Sequence, residues 1–149
     1  HSTDIRVARL FNIYGPNMFP NDGRVISNFI CQALRNEPIT VYGDGCQTRS
    51  FCYIDDLIEG IIKLMNSNYM NPVNIGNPNS ETSILDLALK IRGQINLGTK
   101  IEFRDLPNDD PLSRKPSIDI AKKQIFWEPK ISFNKGLEYT IDYFKQIII

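Results

Sequence analysis

Few residues in this chain could do covalent chemistry, and their spacing narrows the choice further. The single histidine is His1, at the terminus, so a Ser-His-Asp triad has no well-held base. None of the six tyrosines is followed four residues later by lysine, so the tyrosine–lysine pair used in redox chemistry on alcohols is absent. Gly43-Asp44-Gly45 is only a G-x-G, with Thr48 where a dinucleotide loop needs a third glycine. No P-loop and no G-x-S-x-G occurs. The three cysteines, Cys31, Cys46 and Cys52, are odd in number and contain no C-x-x-C pair. They read as free thiols of a reduced compartment, not as a disulfide framework or a metal site. Asp55-Asp56 could serve acid–base work, but at the head of an apolar helical pattern a capping role fits better. No catalytic residue and no metal ligand is assigned.

What remains is binding chemistry. Arg24, Arg49 and Arg114 carry planar forks that stay charged and donate parallel hydrogen bonds. Asn12 and Asn28 carry amides that donate and accept. Each also has a plainer reading. Most arginines are solvated, Arg24 after Asp22-Gly23 suits a turn, and Arg114 near Asp109-Asp110 suits a local ion-pair loop. Asn12 suits a turn. Asn28, inside an otherwise apolar helix, is the odder placement and favours function.

The elements that position these residues follow from periodicity. Ile5 to Phe11 reads as a strand, and Asn12-Ile13-Tyr14-Gly15-Pro16 leads into a polar loop. Val25, Ile26, Phe29, Ile30, Ala33 and Leu34 have helical spacing, ending near Asn36 before Pro38. Residues 39–42 form a short strand into the 43–45 turn, and 50–54 is extended. A helix runs from Leu57 to Met65 behind Asp55 or Asp56. Residues 72–76 form a strand, and Thr82 or Ser83 caps a helix through Ile95. Ile101-Glu102-Phe103 is a strand before a loop over 107–111, and 118–126 and 133–147 are helices. Strands alternating with helices make the fold class α/β. A strand as apolar as residues 5–11 asks for sheet neighbours, so it is expected to belong to a larger parallel sheet whose other strands lie upstream.

The length of 149 residues suits one domain with a real core. Seventeen basic residues balance seventeen acidic ones, so no overall field favours nucleic acid or an anionic membrane. The longest apolar runs, such as the terminal isoleucines 147–149, are far too short to span a bilayer. No signal peptide is visible, and the chain starts at His1 rather than Met, which implies a removed or unshown N-terminus.

Several blocks, in order, carry a resemblance. Val7 to Pro16 contains the pattern R-x-x-N-x-Y-G-P of extended short-chain dehydrogenases. Residues 21–29, NDGRVISNF, and residues 41–51, VYGDGCQTRSF, resemble blocks of UDP-glucuronate decarboxylases, with Tyr53-Ile54-Asp55-Asp56 just behind. Pro72 to Pro78, and Asp109-Asp110-Pro111 through Arg114-Lys115-Pro116, complete the pattern over essentially the whole chain. The chain is thereby similar to the C-terminal half of that family.

The resemblance implies the last Rossmann-sheet strands plus a small α/β substrate-binding domain, with 1–149 as the nucleotide-sugar-binding portion. The NAD-binding Rossmann part, with its glycine-rich loop and Tyr-x-x-x-Lys pair, is expected upstream. The implied substrate is a UDP-sugar, contacted by Asn12, Asn28, Val41, Tyr42, Arg49 and Arg114. Val41 and Tyr42 offer backbone groups and a ring face to the uracil, and Arg49 and Arg114 lie near the diphosphate or ribose. The implied cofactor is NAD, with Ile13 and Arg24 as its contacts here; Ile13 stands where a small polar residue is common, which leaves a backbone contact. The implied reaction oxidises the sugar at C4 with NAD as hydride acceptor, loses carbon dioxide from the β-keto acid, and reduces the ketone to a UDP-pentose. The chain alone is expected to be inactive. Arg49→Ala is expected to weaken UDP-sugar binding at little cost in stability, provided the site is exposed. A dTDP-glucose dehydratase or UDP-sugar 4-epimerase, and a non-catalytic binding or assembly module, are the alternatives. The parent is expected to be a homodimer and cytoplasmic, or Golgi-lumenal if an anchor precedes it, with no nucleic-acid partner and no membrane contact from this part.

Overall fold

β-branched and aromatic residues alternate with polar ones in short runs here, and in the computed structural model these runs pair in parallel across large sequence separations. The structure describes residues 3–20, 22–106 and 111–148. β1 (Ala8–Leu10) pairs in parallel with β6 (Val73–Ile75), and β2 (Ile13–Tyr14) with β5 (Cys52–Tyr53). β3 (Ile39–Tyr42) pairs in parallel with β8 (Ile101–Arg104). β4 (Thr48–Ser50) lies between β7 (Glu81–Ser83), antiparallel, and β9 (Ser113–Arg114), parallel. The helices are α1 (Val25–Leu34), α2 (Ile54–Met65), α3 (Ile84–Ile95), α4 (Asp119–Ile125) and α5 (Phe133–Ile148). Parallel strands joined through helices make an α/β architecture.

Buried apolar residues gather in two clusters. One joins α1, α3, α5 and β3 through Phe29, Ile30, Ile39, Val41, Leu87, Leu137 and Phe144. The other seats α2 and α4 on β6 through Leu57, Leu64, Val73, Ile75, Ala121 and Trp127. Tyr14 sits in the first cluster with its ring edge toward Phe51 and Tyr53 and its hydroxyl donating to Phe133 O at 3.2 Å. Burial, then the neighbouring Cys52, Tyr53 and Asp56, keeps that phenol protonated far above its ordinary range.

The first strand is shorter than the apolar run predicts. Asn12 takes φ +31°, which interrupts the extended backbone between β1 and β2. Ser83 caps α3 by accepting from Asp86 N at 3.0 Å, one of the two predicted caps. The expected cap on α2 is corrected: α2 begins at Ile54 after Tyr53, with no side-chain cap. Asp56, 3% exposed, instead accepts from Lys130 N at 3.0 Å and Ile131 N at 2.9 Å, tying α2 to the loop before α5. Residues 107–110 of the predicted loop, Asn21 and His1 lie outside the described residues. Among the described residues no helix is long and apolar enough to cross a membrane.

Candidate nucleotide-sugar cleft

A cleft of about 420 Å³ opens between α1, the β3–β8 pair and β4. Asn12 enters it from the break after β1, where open α/β sheets bind ligands at strand C-termini. Its amide donates to Ser50 O at 3.4 Å, and its own carbonyl accepts from Cys52 N at 3.0 Å. Asn28 faces the cleft from the polar side of α1, one position before buried Phe29. Tyr42 stands at the end of β3 and is 45% exposed. Arg49 comes from the middle of β4.

Arg49 is only 8% exposed, and its guanidinium donates to Thr48 O at 2.8 Å and Pro111 O at 2.7 Å. This overturns the proviso under which Arg49→Ala costs little stability. Burying a charge is tolerated only where hydrogen bonds replace water, so this side chain also holds the 111 segment to β4. Arg114 is the register partner of Arg49 in the neighbouring strand, on the same sheet face, but is exposed and does not line the cleft wall. Its neighbour Lys115 pairs with Glu81 at 2.9 Å. The Asp109-Asp110 side of the predicted ion-pair loop lies outside the described residues. Val41 has its side chain fully in the core, so only its backbone could meet a ligand.

Ile13 and Arg24 do not line this cleft. They share a second cavity of about 310 Å³ with Gly15, Pro16, Ile54, Asp55 and Ile58. The two cavities adjoin through consecutive residues: Asn12 lines one and Ile13 the other, and Gly23 lines one and Arg24 the other. Arg24 precedes α1 and pairs with Asp22 at 2.7 Å. Burial alone would raise the Asp22 carboxyl, but hydrogen bonds from Ser27 and Arg24 outweigh it and hold the group below the usual carboxylate range.

Residues that sequence reasoning missed are Gln32, Thr40, Gln47 and Arg104. Thr40 alternates with buried Ile39 and Val41, a period-2 signal that could have placed it opposite the core. Gln32 fixes Thr40 from α1 by a reciprocal pair of hydrogen bonds, 3.2 and 3.1 Å. Gln47 donates to Tyr42 O at 2.8 Å. Arg104 lies beside Tyr42 only because β8 pairs with β3, which no local pattern encodes. The described residues lining the cleft include two guanidinium groups and no carboxylate. Among the described residues no cluster of three or more His, Cys, Asp or Glu side chains gathers to hold a metal. The cleft can thus grip an anionic, polar, extended ligand, and its described lining holds no nucleophile paired with a base.

Comparisons with known proteins place the chain in a family. Residues 1–76 match the family model described as NAD dependent epimerase/dehydratase. UDP-glucuronic acid decarboxylase 4 of Arabidopsis thaliana is 49% identical over 97% of this chain and 32% of its own length. UDP-glucuronic acid decarboxylase 1 of Xenopus tropicalis is 50% identical over 96% of this chain and 34% of its own. The chain therefore spans about a third of these curated relatives. The UDP-glucuronic acid 4-epimerase of Bacillus cereus, solved with UDP-glucuronic acid and NAD, superposes with a TM-score of 0.89 at 31% identity. It is covered over 46% of its length and this chain over 97%. The UDP-glucose 4-epimerase of Thermotoga maritima, solved with UDP-glucose, gives 0.90 at 26% identity, covering 96% of this chain and 46% of that one. Matched over residues 1–76, half of its length, by the family model, this chain belongs to the NAD dependent epimerase/dehydratase family.

Proposed function

We propose that this chain is the nucleotide-sugar-binding portion of an NAD-dependent UDP-glucuronate decarboxylase that makes a UDP-pentose. The observation that carries the reading is the cleft lined by Arg49, Arg104 and amide side chains, with no carboxylate among the described residues, adjoining a second cavity at its Asn12 end. A UDP-sugar presents a diphosphate, which needs fixed positive charge, and a polar sugar, which needs amides and hydroxyls. The decarboxylase assignment, rather than an epimerase, rests on identity of 46–50% to the decarboxylases against 26–31% to the solved UDP-sugar epimerases.

In this reading Arg49 holds the diphosphate, with Arg114 joining from the next strand. Asn12 and Asn28 orient the sugar, and Tyr42 with the Val41 backbone receives the uracil. For NAD, the second cavity is apolar on Ile13, Ile54 and Ile58, and its described lining carries Arg24, ion-paired with Asp22, and the Asp55 carboxyl. That fits one flank of a dinucleotide, not its pyrophosphate, since no glycine-rich loop is present. When bound, NAD supplies hydride transfer at the sugar; Ile13 and Arg24 would cover it, and the protein's work here is binding, orientation and exclusion of water. The longer protein is read as a homodimer in the cytoplasm.

Titration calorimetry of the chain with UDP-glucuronate and UDP tests the reading. Binding is expected, weakened about tenfold or more by Arg49→Ala, since hydrogen bonds to a charged group contribute roughly 1.5–3 kcal/mol. No binding by the wild-type chain would overturn it. With NAD and UDP-glucuronate the chain alone is expected to release no carbon dioxide, whereas the longer protein should. A 4-keto-6-deoxy or epimerised product from that protein would assign it to the dehydratases or epimerases instead.

A further inference from the structure

We infer that Arg104, which no sequence motif singles out, binds the nucleoside end of the ligand in the cleft, beside Tyr42. The inference rests on the nucleotide-sugar reading above and adds a residue and a direction to it. Arg104 closes β8 in register with Tyr42 at the end of β3, and both side chains line the cleft. Its backbone is pinned there, since its carbonyl accepts from Gly43 N at 2.7 Å. Its guanidinium has no hydrogen-bond or ion-pair partner among the described residues. It thus differs from Arg49, whose Nη1 already donates to the Thr48 and Pro111 carbonyls.

The polarity of the cleft decides what Arg104 meets. A path of contacts runs from one end to the other. Asn12 donates to Ser50, Ser50 adjoins Arg49 in β4, Gln47 of the same segment donates to Tyr42, and Tyr42 pairs with Arg104. Arg49 is therefore in the middle of the path. The second cavity adjoins the cleft at the Asn12 and Gly23 end, remote from β8 along this path. A nucleoside-diphosphate sugar is linear, with its reactive sugar at one end and its base at the other. The sugar must face the redox cofactor, so it lies at Asn12; the diphosphate then falls at Arg49 and the nucleoside at Tyr42 and Arg104. A planar guanidinium next to an exposed ring gives a flat polar wall, able to stack on a base and donate to its carbonyl oxygens or to ribose hydroxyls.

The test compares uridine, UMP and UDP by NMR titration of the wild-type chain, Arg104→Leu, Arg104→Lys and Arg49→Ala. Arg104→Leu is expected to lose roughly tenfold in affinity, by the same factor for all three ligands, as fits loss of a charged-donor bond to the nucleoside. Arg104→Lys keeps the charge without the plane and should recover only part. Arg49→Ala should lose most for UDP and least for uridine. A loss in Arg104→Leu that grows with phosphate number would overturn the assignment and move Arg104 to the diphosphate. Equal affinities for wild type and Arg104→Leu would remove Arg104 from the site while leaving the nucleotide-sugar reading standing. If the wild-type chain binds none of the ligands, that reading falls and this inference with it. Arg104 is exposed and makes no ion pair among the described residues, so both variants should unfold at the wild-type temperature.

Discussion

Asp56→Asn separates a structural carboxylate from a catalytic one. The Asp56 side chain is almost fully buried and accepts two backbone N–H groups, from Lys130 at 3.0 Å and Ile131 at 2.9 Å. Asparagine has one carbonyl oxygen, so one of these donors must face an amide NH2. The variant loses a charge-assisted hydrogen bond, roughly 1.5–3 kcal/mol, and leaves a buried donor unsatisfied at about 1–3 kcal/mol. Allowing for relaxation of the 130–131 loop, the expected loss is about 2–4 kcal/mol. In a domain of this size that lowers the Tm by roughly 5–15 °C. Trp127, the only tryptophan, reports the event: it is 1% exposed and its indole N–H donates to Asp56 O at 2.9 Å. That carbonyl survives the substitution, so urea unfolding followed by tryptophan fluorescence compares like with like. A loss under about 0.5 kcal/mol, within the range of a neutral surface change, would refute the tether. Abolished turnover in the longer protein with unchanged stability would restore Asp55-Asp56 to acid–base work.

Other expectations follow from single contacts. An ideal Cβ on Gly136 would overlap the Tyr14 hydroxyl and come within 2.7 Å of the Tyr53 ring. Gly136→Ala should therefore destabilise by about 1–3 kcal/mol despite alanine's better helix propensity, and a raised Tm would contradict the packing. The Asp22 carboxyl is held below its ordinary value of 3.8, so its ionised form stabilises the fold at neutral pH. That contribution is complete above the unfolded value and fades as pH falls through the folded one. The Arg24 amide resonance should titrate with a midpoint under 3.8, and a midpoint at or above it would sink the claim. Of the thiols, Cys52 is buried and pushed up to about 12 by burial and then by the Asp56 charge, while Cys31 is buried and also raised, chiefly by burial. Cys46 is exposed, with its thiol raised by its hydrogen bond to Asp44. An aromatic disulfide reagent at pH 8 should modify only Cys46 in the folded chain and all three cysteines in urea; rapid modification of folded Cys52 would contradict its burial.

The sequence by itself determined the family, the helices and much of the cleft. Apolar spacing set the cores of α1, α2 and α3, because one helical face must leave water. The ordered blocks around Asn12, Asn28, Tyr42 and Arg49 named residues that the fold brings to one cleft. Tertiary structure alone decided three things. It placed Arg104 beside Tyr42, because parallel pairing joins strands distant in the chain. It set Arg49 beside Arg114 but let only the former face the cleft and close on Pro111. It turned Asp56 from an apparent helix cap into a tether between α2 and a distant loop. Local pattern records which face of an element is apolar. Which strand lies next to which, and what a buried charge finds as its partner, depends on contacts between distant residues.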